Sequence, residues 1–272
     1  TGYMAKTDTL GDRMKKYENI TRFSLPPRTY TILRVDGRAF HTWTKKLTRP
    51  YDNDLMTCMD AAATMLCEQI SGSRFAYVQS DEISVLAVDF LDINTQPWFD
   101  GVVQKWVSVG ASIASVGFNL KVLDFMYSEN LANSRLGPLK RPDATFDARV
   151  YTIPDFIEVE NYFVWRQKDA VRNSVTMLAQ AYASHKQLQG KTTEQRHEII
   201  HAAGDNWAKH PVSFKHGRVI RKRWSHYNDH DVASVDPAPS ETNSYWFVDT
   251  KTPVFTRNRD YLRDLIPLPW EN

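Results

Sequence analysis

Three acids and a glycine carry the chemistry that is easiest to state. The run "RTYTILRVDGRAF", residues 28–40, closes a β-branched stretch with Asp36-Gly37, and "FAYVQSDEISVLAVDF", residues 75–90, sets Ser80, Asp81 and Glu82 where two strand-like runs meet. If those strands are neighbours the carboxylates converge, and carboxylates a few ångströms apart repel each other unless a cation intervenes. Magnesium is the natural occupant, because it takes one or two protein carboxylates and leaves its other positions to phosphate oxygens and water. Two such ions can clamp the attacking and leaving oxygens of a phosphoryl or nucleotidyl transfer. Gly37 suits this chemistry: without a side chain it lets phosphate approach the backbone, and its carbonyl can join the metal shell. Arg38 and His41 would then meet triphosphate oxygens. Asp81 and Glu82 would face opposite sides of a strict strand, so only one is a direct ligand unless the turn twists them together. Asp-Gly alone is an ordinary strand-ending turn; the acids at the neighbouring tip favour a site.

A second candidate is "RHEIIHAAGDNW", residues 196–207. On a helix His197 and His201 face one way and Glu198 could polarise a zinc-bound water. A catalytic zinc needs a third protein ligand, and Trp207 stands where the longer motif has its third histidine. The expectation is therefore no zinc, and two histidines on a partly exposed helix capped at Thr192 or Thr193.

Charge adds a third candidate. The formal net charge is only +2, but "FKHGRVIRKRWSHY", residues 214–227, gathers Lys215, Arg218, Arg221, Lys222 and Arg223 beside Phe214, Trp224 and Tyr227. This mixture suits phosphates and stacked bases, and equally a solvated charged strand.

The elements that must position these residues follow from periodicity. Residues 29–35 read as a buried strand. Leu55, Met59, Ala62, Leu66 and Ile70 then recur at helical spacing, after a cap at Asp52 or Asn53 and before Gly72. The acid-tipped hairpin comes next, then a helix over 98–117 whose small residues allow close packing on a sheet, and a strand over 146–153. This βαββαβ order predicts an α/β (α+β) fold of the ferredoxin type, an antiparallel sheet with helices on one face. A long helix over about 158–184, the "HEIIH" helix, the basic strand and a tail follow. The tail holds a turn-rich connector (234–244), a short "YWFV" strand and a short "RDYLRDLI" helix. Residues 12–190 are expected to form the catalytic core and 191–272 to pack on it as part of one unit. At 272 residues and 42% hydrophobic the chain can bury a large core. No apolar run is read as a membrane span, and cytoplasmic residence is the default. Cys58 and Cys67 fall on opposite sides of one helix and are read as reduced packing residues.

At the acidic residues the sequence resembles tRNA-histidine guanylyltransferase and its relatives that repair tRNA 5′ ends, both of which extend RNA in the 3′-to-5′ direction. The pieces that carry the resemblance run from Asp12 to Trp224: "RVDGRAFHTWTKK", "RPYDNDLM", "YVQSDEISVL", "QKWVS", "FDARV", "WRQKDAVRNSV", "SHKQLQGKTT" and "FKHGRV". It implies a polymerase-palm-like core with two magnesium ions on Asp36, the Gly37 backbone and Asp81, assisted by Glu82. It also implies ATP and GTP as substrates, tRNA as partner and a homotetramer. By the same resemblance, Arg38, Ala39, Phe40 and His41 line the first triphosphate, with Arg49, Asp52 and Ser80 as neighbouring nucleotide contacts. Lys105 matches a lysine near a second triphosphate. Asp169, Asn173 and Lys186 fall in segments that handle nucleotide or tRNA, and Lys215, Arg218 and Arg221 become RNA or phosphate contacts. One departure is informative: enzymes that mark histidine tRNA carry His-Ile-Asn-Asn-Leu-Tyr-Asn where this chain reads "AVRNSVTM", with Ala170 in place of the histidine. That resembles the repair branch and implies template-dependent 5′-end repair. A second departure is Ala148, in "FDARV", where the family has glycine. The alternatives are addition of a single G to histidine tRNA, a palm-type nucleotide cyclase, and a non-catalytic RNA-binding protein.

Overall fold

The structure, a computed structural model, describes residues 9–127, 141–224 and 244–269. The connector expected at 234–244 lies outside these residues apart from Ser244. The expected βαββαβ order is present. After helix α1 (Thr9–Asn19) come strand β1 (Tyr30–Gly37), the short helix α2 (Phe40–Trp43), α3 (Asn53–Gln69), β2 (Ser73–Gln79), β3 (Glu82–Val88), α4 (Val103–Tyr127) and β4 (Phe146–Ile153). Then follow α5 (Phe156–Tyr182), α6 (His185–Leu188), α7 (Thr193–Ala202), α8 (Val212–His216), β5 (Arg218–Trp224), β6 (Ser244–Asp249) and α9 (Asp260–Arg263). The six strands form one sheet in the order β4-β1-β3-β2-β5-β6, every pair antiparallel. The basic strand and the "YWFV" strand thus extend the same sheet beyond β2.

Alternation along β1 sends side chains to two separate cores. Leu33 and Val35 point to α3 and α4, where Met59, Leu66, Trp106 and Phe118 are buried. Tyr30 and Ile32 point the other way, to Val159, Tyr162 and Phe163 of α5 and to Phe255 and Leu262 of the C-terminal segment. The two helices expected on one face are there, and α5 covers the opposite face, so the sheet is a middle layer. A face for α5 could not be read, because Glu160, Arg166 and Gln167 are buried on it among the apolar residues.

Local chemistry fixes the helix starts. Asp52 caps α3 by accepting from the N–H groups of Asp54 and Leu55, and Thr192 forms a capping box with Gln195 at α7. By length and composition α4 alone among the described helices could cross a membrane, against the expectation that no stretch would, but Trp106, Ile113, Ala114, Phe118 and Val122 bury it in the core. Cys58 and Cys67 are buried, and burial pushes both thiols up.

Candidate active site

The acids meet at one end of the sheet. In the β1–β3 ladder Asp36 stands directly opposite Glu82, and the Gly37 N–H donates to the Asp81 carbonyl at 2.9 Å. The β2–β3 turn holds only Ser80 and Asp81 between the paired Gln79 and Glu82, and Ser80 bends it with a left-handed φ of 49°. Arg38 then ties the chain to the start of β4, its N–H donating to Thr145 O at 2.9 Å.

The three carboxylates have different surroundings. Glu82 is buried and gripped: Arg166 Nε and Nη2 donate to its two oxygens at 2.7 Å each, and Arg34 Nη2 lies 2.7 Å from Oε2. The same Arg34 group donates to Asp36 Oδ2 at 3.1 Å. Asp81, among the described residues, takes part in no such ion pair. Burial, and secondly Asp36, push its carboxyl above the usual range, while its own N–H and the Ser80 hydroxyl pull it down. One carboxylate is thus paired twice, one shared and one unpaired.

Beside Asp81 opens a cleft of about 290 Å³, lined by His41, Arg49, Tyr51 and Leu55 of the α2–α3 segment, by Ser80 of the hairpin turn and by Met177 and Gln180 of α5. It continues along Gln79, Ala170, Asn173, Ser174 and Phe214. Arg38, His41 and Arg49 are exposed at its end of the molecule, available to an anion. An acid pair next to a cleft lined by Arg49 and His41 is an arrangement that phosphate-transfer chemistry can use.

The structure revises several expected roles. Gly37 does not open its backbone to a ligand on the Cβ side, because the Phe40 ring fills that space. Phe40 itself belongs to the core, against Trp43, Phe118 and Phe146, so only its backbone lies at the loop. Ala39 is exposed at a left-handed φ of 55°. Asp52 lines the cleft, but its carboxylate is occupied by the N–H groups of Thr48, Asp54 and Leu55. Asp169 is spent on Arg166 and Arg172, whereas Asn173 does reach the cleft.

Lys105 is not brought to the acids. It lies in the first turn of α4, beside Arg22 and Gln104 and near the bridge between Ser24 and Val102. That is the Tyr30–Val88 end of the ladder, whereas Asp36 and Glu82 close the other end. A helix running antiparallel to β3 has to start there. Lys186 is exposed on α6.

Much of the basic segment is engaged within the fold. Lys215 is buried and donates to Ala208 O at 2.6 Å, and Arg218 is buried on Asp60 with Nε 2.6 Å from Oδ1. Arg221 pairs with Asp249 at 3.5 Å and lies over Tyr261, while Lys222 and Arg223 lie over Trp246 and Phe247. Lys215 and Arg218 are therefore not surface contacts, and Arg221 is only partly available. His197 packs its ring edge-on to Trp207. Sequence reasoning missed Arg34 and Arg166. The signal for Arg34 was present: a lone cation in an apolar strand, two residues before Asp36 and hence on the same face.

The family described as Thg1, tRNAHis guanylyltransferase, matches residues 11–154. The chain belongs to this family. It is accordingly a nucleotidyltransferase. An uncharacterized protein, R259, of Acanthamoeba polyphaga mimivirus is 31% identical over 228 residues, spanning 79% of this chain and 78% of its own. The tRNA(His) guanylyltransferase of Debaryomyces hansenii is 26% identical over 236 residues, 80% of this chain and 84% of its own. A bacterial tRNA(HIS) guanylyltransferase (Thg1)-like protein in complex with ATP is 36% identical, with a TM-score of 0.77 over 96% of this chain and 100% of its own. Its complex with GTP gives a TM-score of 0.73.

Proposed function

We propose that this member of the Thg1 family repairs tRNA 5′ ends, adding nucleotides in the 3′-to-5′ direction against the opposite acceptor strand. The observation that carries the reading is the unpaired Asp81 beside Asp36 at the mouth of a cleft whose far wall holds Ala170. The acids suit nucleotidyl transfer. An alanine where the histidine-marking enzymes carry histidine favours repair over addition of one G.

Magnesium fits the acids on this chain's own terms: Asp81 is driven toward neutrality by burial and by Asp36, and a divalent cation reverses that pressure. Asp36, Asp81 and the Gly37 carbonyl would hold it, with Glu82 excluded by its arginines. When bound, it neutralises charge on the reacting phosphate oxygens. Ser80, Arg38, His41 and Arg49 orient a triphosphate in the cleft. ATP or GTP, the nucleotides bound by the bacterial relative, would first activate the tRNA 5′-monophosphate with loss of pyrophosphate. The 3′-hydroxyl of the incoming nucleotide then attacks the activated phosphorus and the nucleoside monophosphate leaves. Assembly as a homotetramer is part of the proposal; the exposed Leu10, Met14 and Tyr17 of α1 supply apolar surface for it. So is cytoplasmic residence, in keeping with two free thiols.

The test is sequencing of products from 5′-truncated, 5′-phosphorylated tRNAs incubated with magnesium and all four triphosphates. Watson-Crick-matched extension is expected, and Asp36→Asn or Asp81→Asn should slow it by on the order of 100-fold or more. A single unpaired G on histidine tRNA would instead establish the marking activity. A cyclic product formed without RNA would establish a cyclase.

A further inference from the structure

We propose that Arg166 is a positioning residue for the acidic pair, acting through Glu82, and that Glu82 is not a cation ligand but the joint between α5 and Asp36. The inference rests on the transfer reaction proposed above.

The contacts form one chain. Arg166 holds both oxygens of Glu82, and Arg34 Nη2 bridges Glu82 Oε2 to Asp36 Oδ2. Arg166 is itself fixed from two sides, by Asp169 Oδ2 at 2.9 Å and by the Trp165 ring 4.3 Å from its guanidinium carbon. Asp169 is braced in turn by Arg172 at 2.7 Å. Each partner from 165 to 172 belongs to two turns of α5, and the following turns carry Asn173, Met177 and Gln180 into the cleft. The wall that faces the substrate and the clamp on Glu82 are thus one rigid helix.

Attachment of α5 to the sheet does not require these charges. Val159, Tyr162 and Phe163 already bury it against Tyr30, Ile32 and Phe75, and a buried ion pair generally adds less stability than apolar residues of similar volume. What an arginine fork adds is direction, since two parallel hydrogen bonds fix the carboxylate plane. With Glu82 fixed, Arg34 is fixed, and Arg34 takes one oxygen of Asp36 and leaves the other facing away from it. Arg34 and Arg166 also engage both Glu82 oxygens, which makes Glu82 a poorer donor to a cation than Asp81.

The experiment compares Arg166→Met, Glu82→Gln, the double variant, Arg166→Lys and Asp36→Asn in the full chain. Templated extension gives kcat and KM for the nucleotide, and electron paramagnetic resonance counts manganese bound without substrate. Arg166→Met is expected to lower kcat by on the order of 100-fold, the scale of a small misplacement, with KM for the nucleotide within about threefold. Arg166→Lys should recover part of the loss. The double variant should be no worse than the worse single, because both changes cut the same chain. Glu82→Gln should bind as many manganese ions as the wild type, whereas Asp36→Asn binds fewer. Loss of an ion in Glu82→Gln, wild-type kcat in Arg166→Met, or multiplied losses in the double variant would each overturn the inference. Should Arg166→Met not fold with Glu82 left buried, the double variant, which leaves neither charge, carries the comparison. If the wild type itself does not extend tRNA, the functional proposal fails, and the manganese count still decides whether Glu82 is a ligand.

Discussion

Gly37 and Phe40 share one space: the ring of Phe40 lies where a side chain on Gly37 would have to go. The turn after Asp36 can fold back only because residue 37 has none, and Phe40 then closes the core beneath the acids against Phe118 and Phe146.

Gly37→Ala should therefore destabilise the protein by roughly 1–3 kcal/mol, the usual cost of forcing an extra carbon into a packed site. Urea denaturation measures it. A variant as stable as the wild type would mean that Phe40 leaves the core freely.

Asp81 makes a prediction with a definite sign. Its carboxyl is pushed up in the folded state, by burial first and by Asp36 second. The folded protein therefore holds that proton to higher pH than the unfolded chain does, and stability falls as pH rises from the ordinary carboxylate range through the raised value. Asp81→Asn removes the charge. In metal-free buffer the variant should melt above the wild type at pH 7, with the gap closing as pH falls below about 4, the ordinary aspartate value. A gap of equal size at both pH values would refute the assignment.

Arg218 and Lys215 should behave as structural residues. Arg218→Met strands Asp60, whose partner is lost inside the protein, and should cost about 3–5 kcal/mol, whereas Asp60→Leu combined with Arg218→Met should recover most of that. The dependence of tRNA affinity on salt should keep its slope in the folded double variant. A slope reduced by about one would return Arg218 to the phosphate contacts.

What the sequence made legible was local or alternating. The strands around Asp36 and Asp81 announce themselves by β-branched runs and turns, and the order of elements makes them neighbours, so the meeting of the acids could be read from the sequence. Ion pairs across the fold could not. Arg218 looks the same in the sequence whether it faces water or Asp60, which lies on a helix far earlier in the chain. The same blindness hid Arg166, which reads as one more polar position on α5. The distance of Lys105 from the acids was illegible for a different reason: matching a motif says nothing about which end of a helix lies beside which end of the sheet. The alternation argument allowed only one of the two hairpin acids to be a direct ligand without saying which, and the arginines that distinguish Glu82 from Asp81 are again contacts across the fold.

Gln167 follows Arg166 on α5, and its amide accepts from the Phe255 N–H at 2.7 Å while donating to Pro253 O at 2.8 Å. The last stretch of the polypeptide is thereby pinned to the same turn of helix that grips Glu82. Shortening the protein before Pro253 removes a cotter from that turn, so trimmed enzyme should turn over more slowly in the extension assay even though the charged contacts of the removed stretch, among the described residues, go to Glu160 and not to Asp36, Asp81 or Glu82.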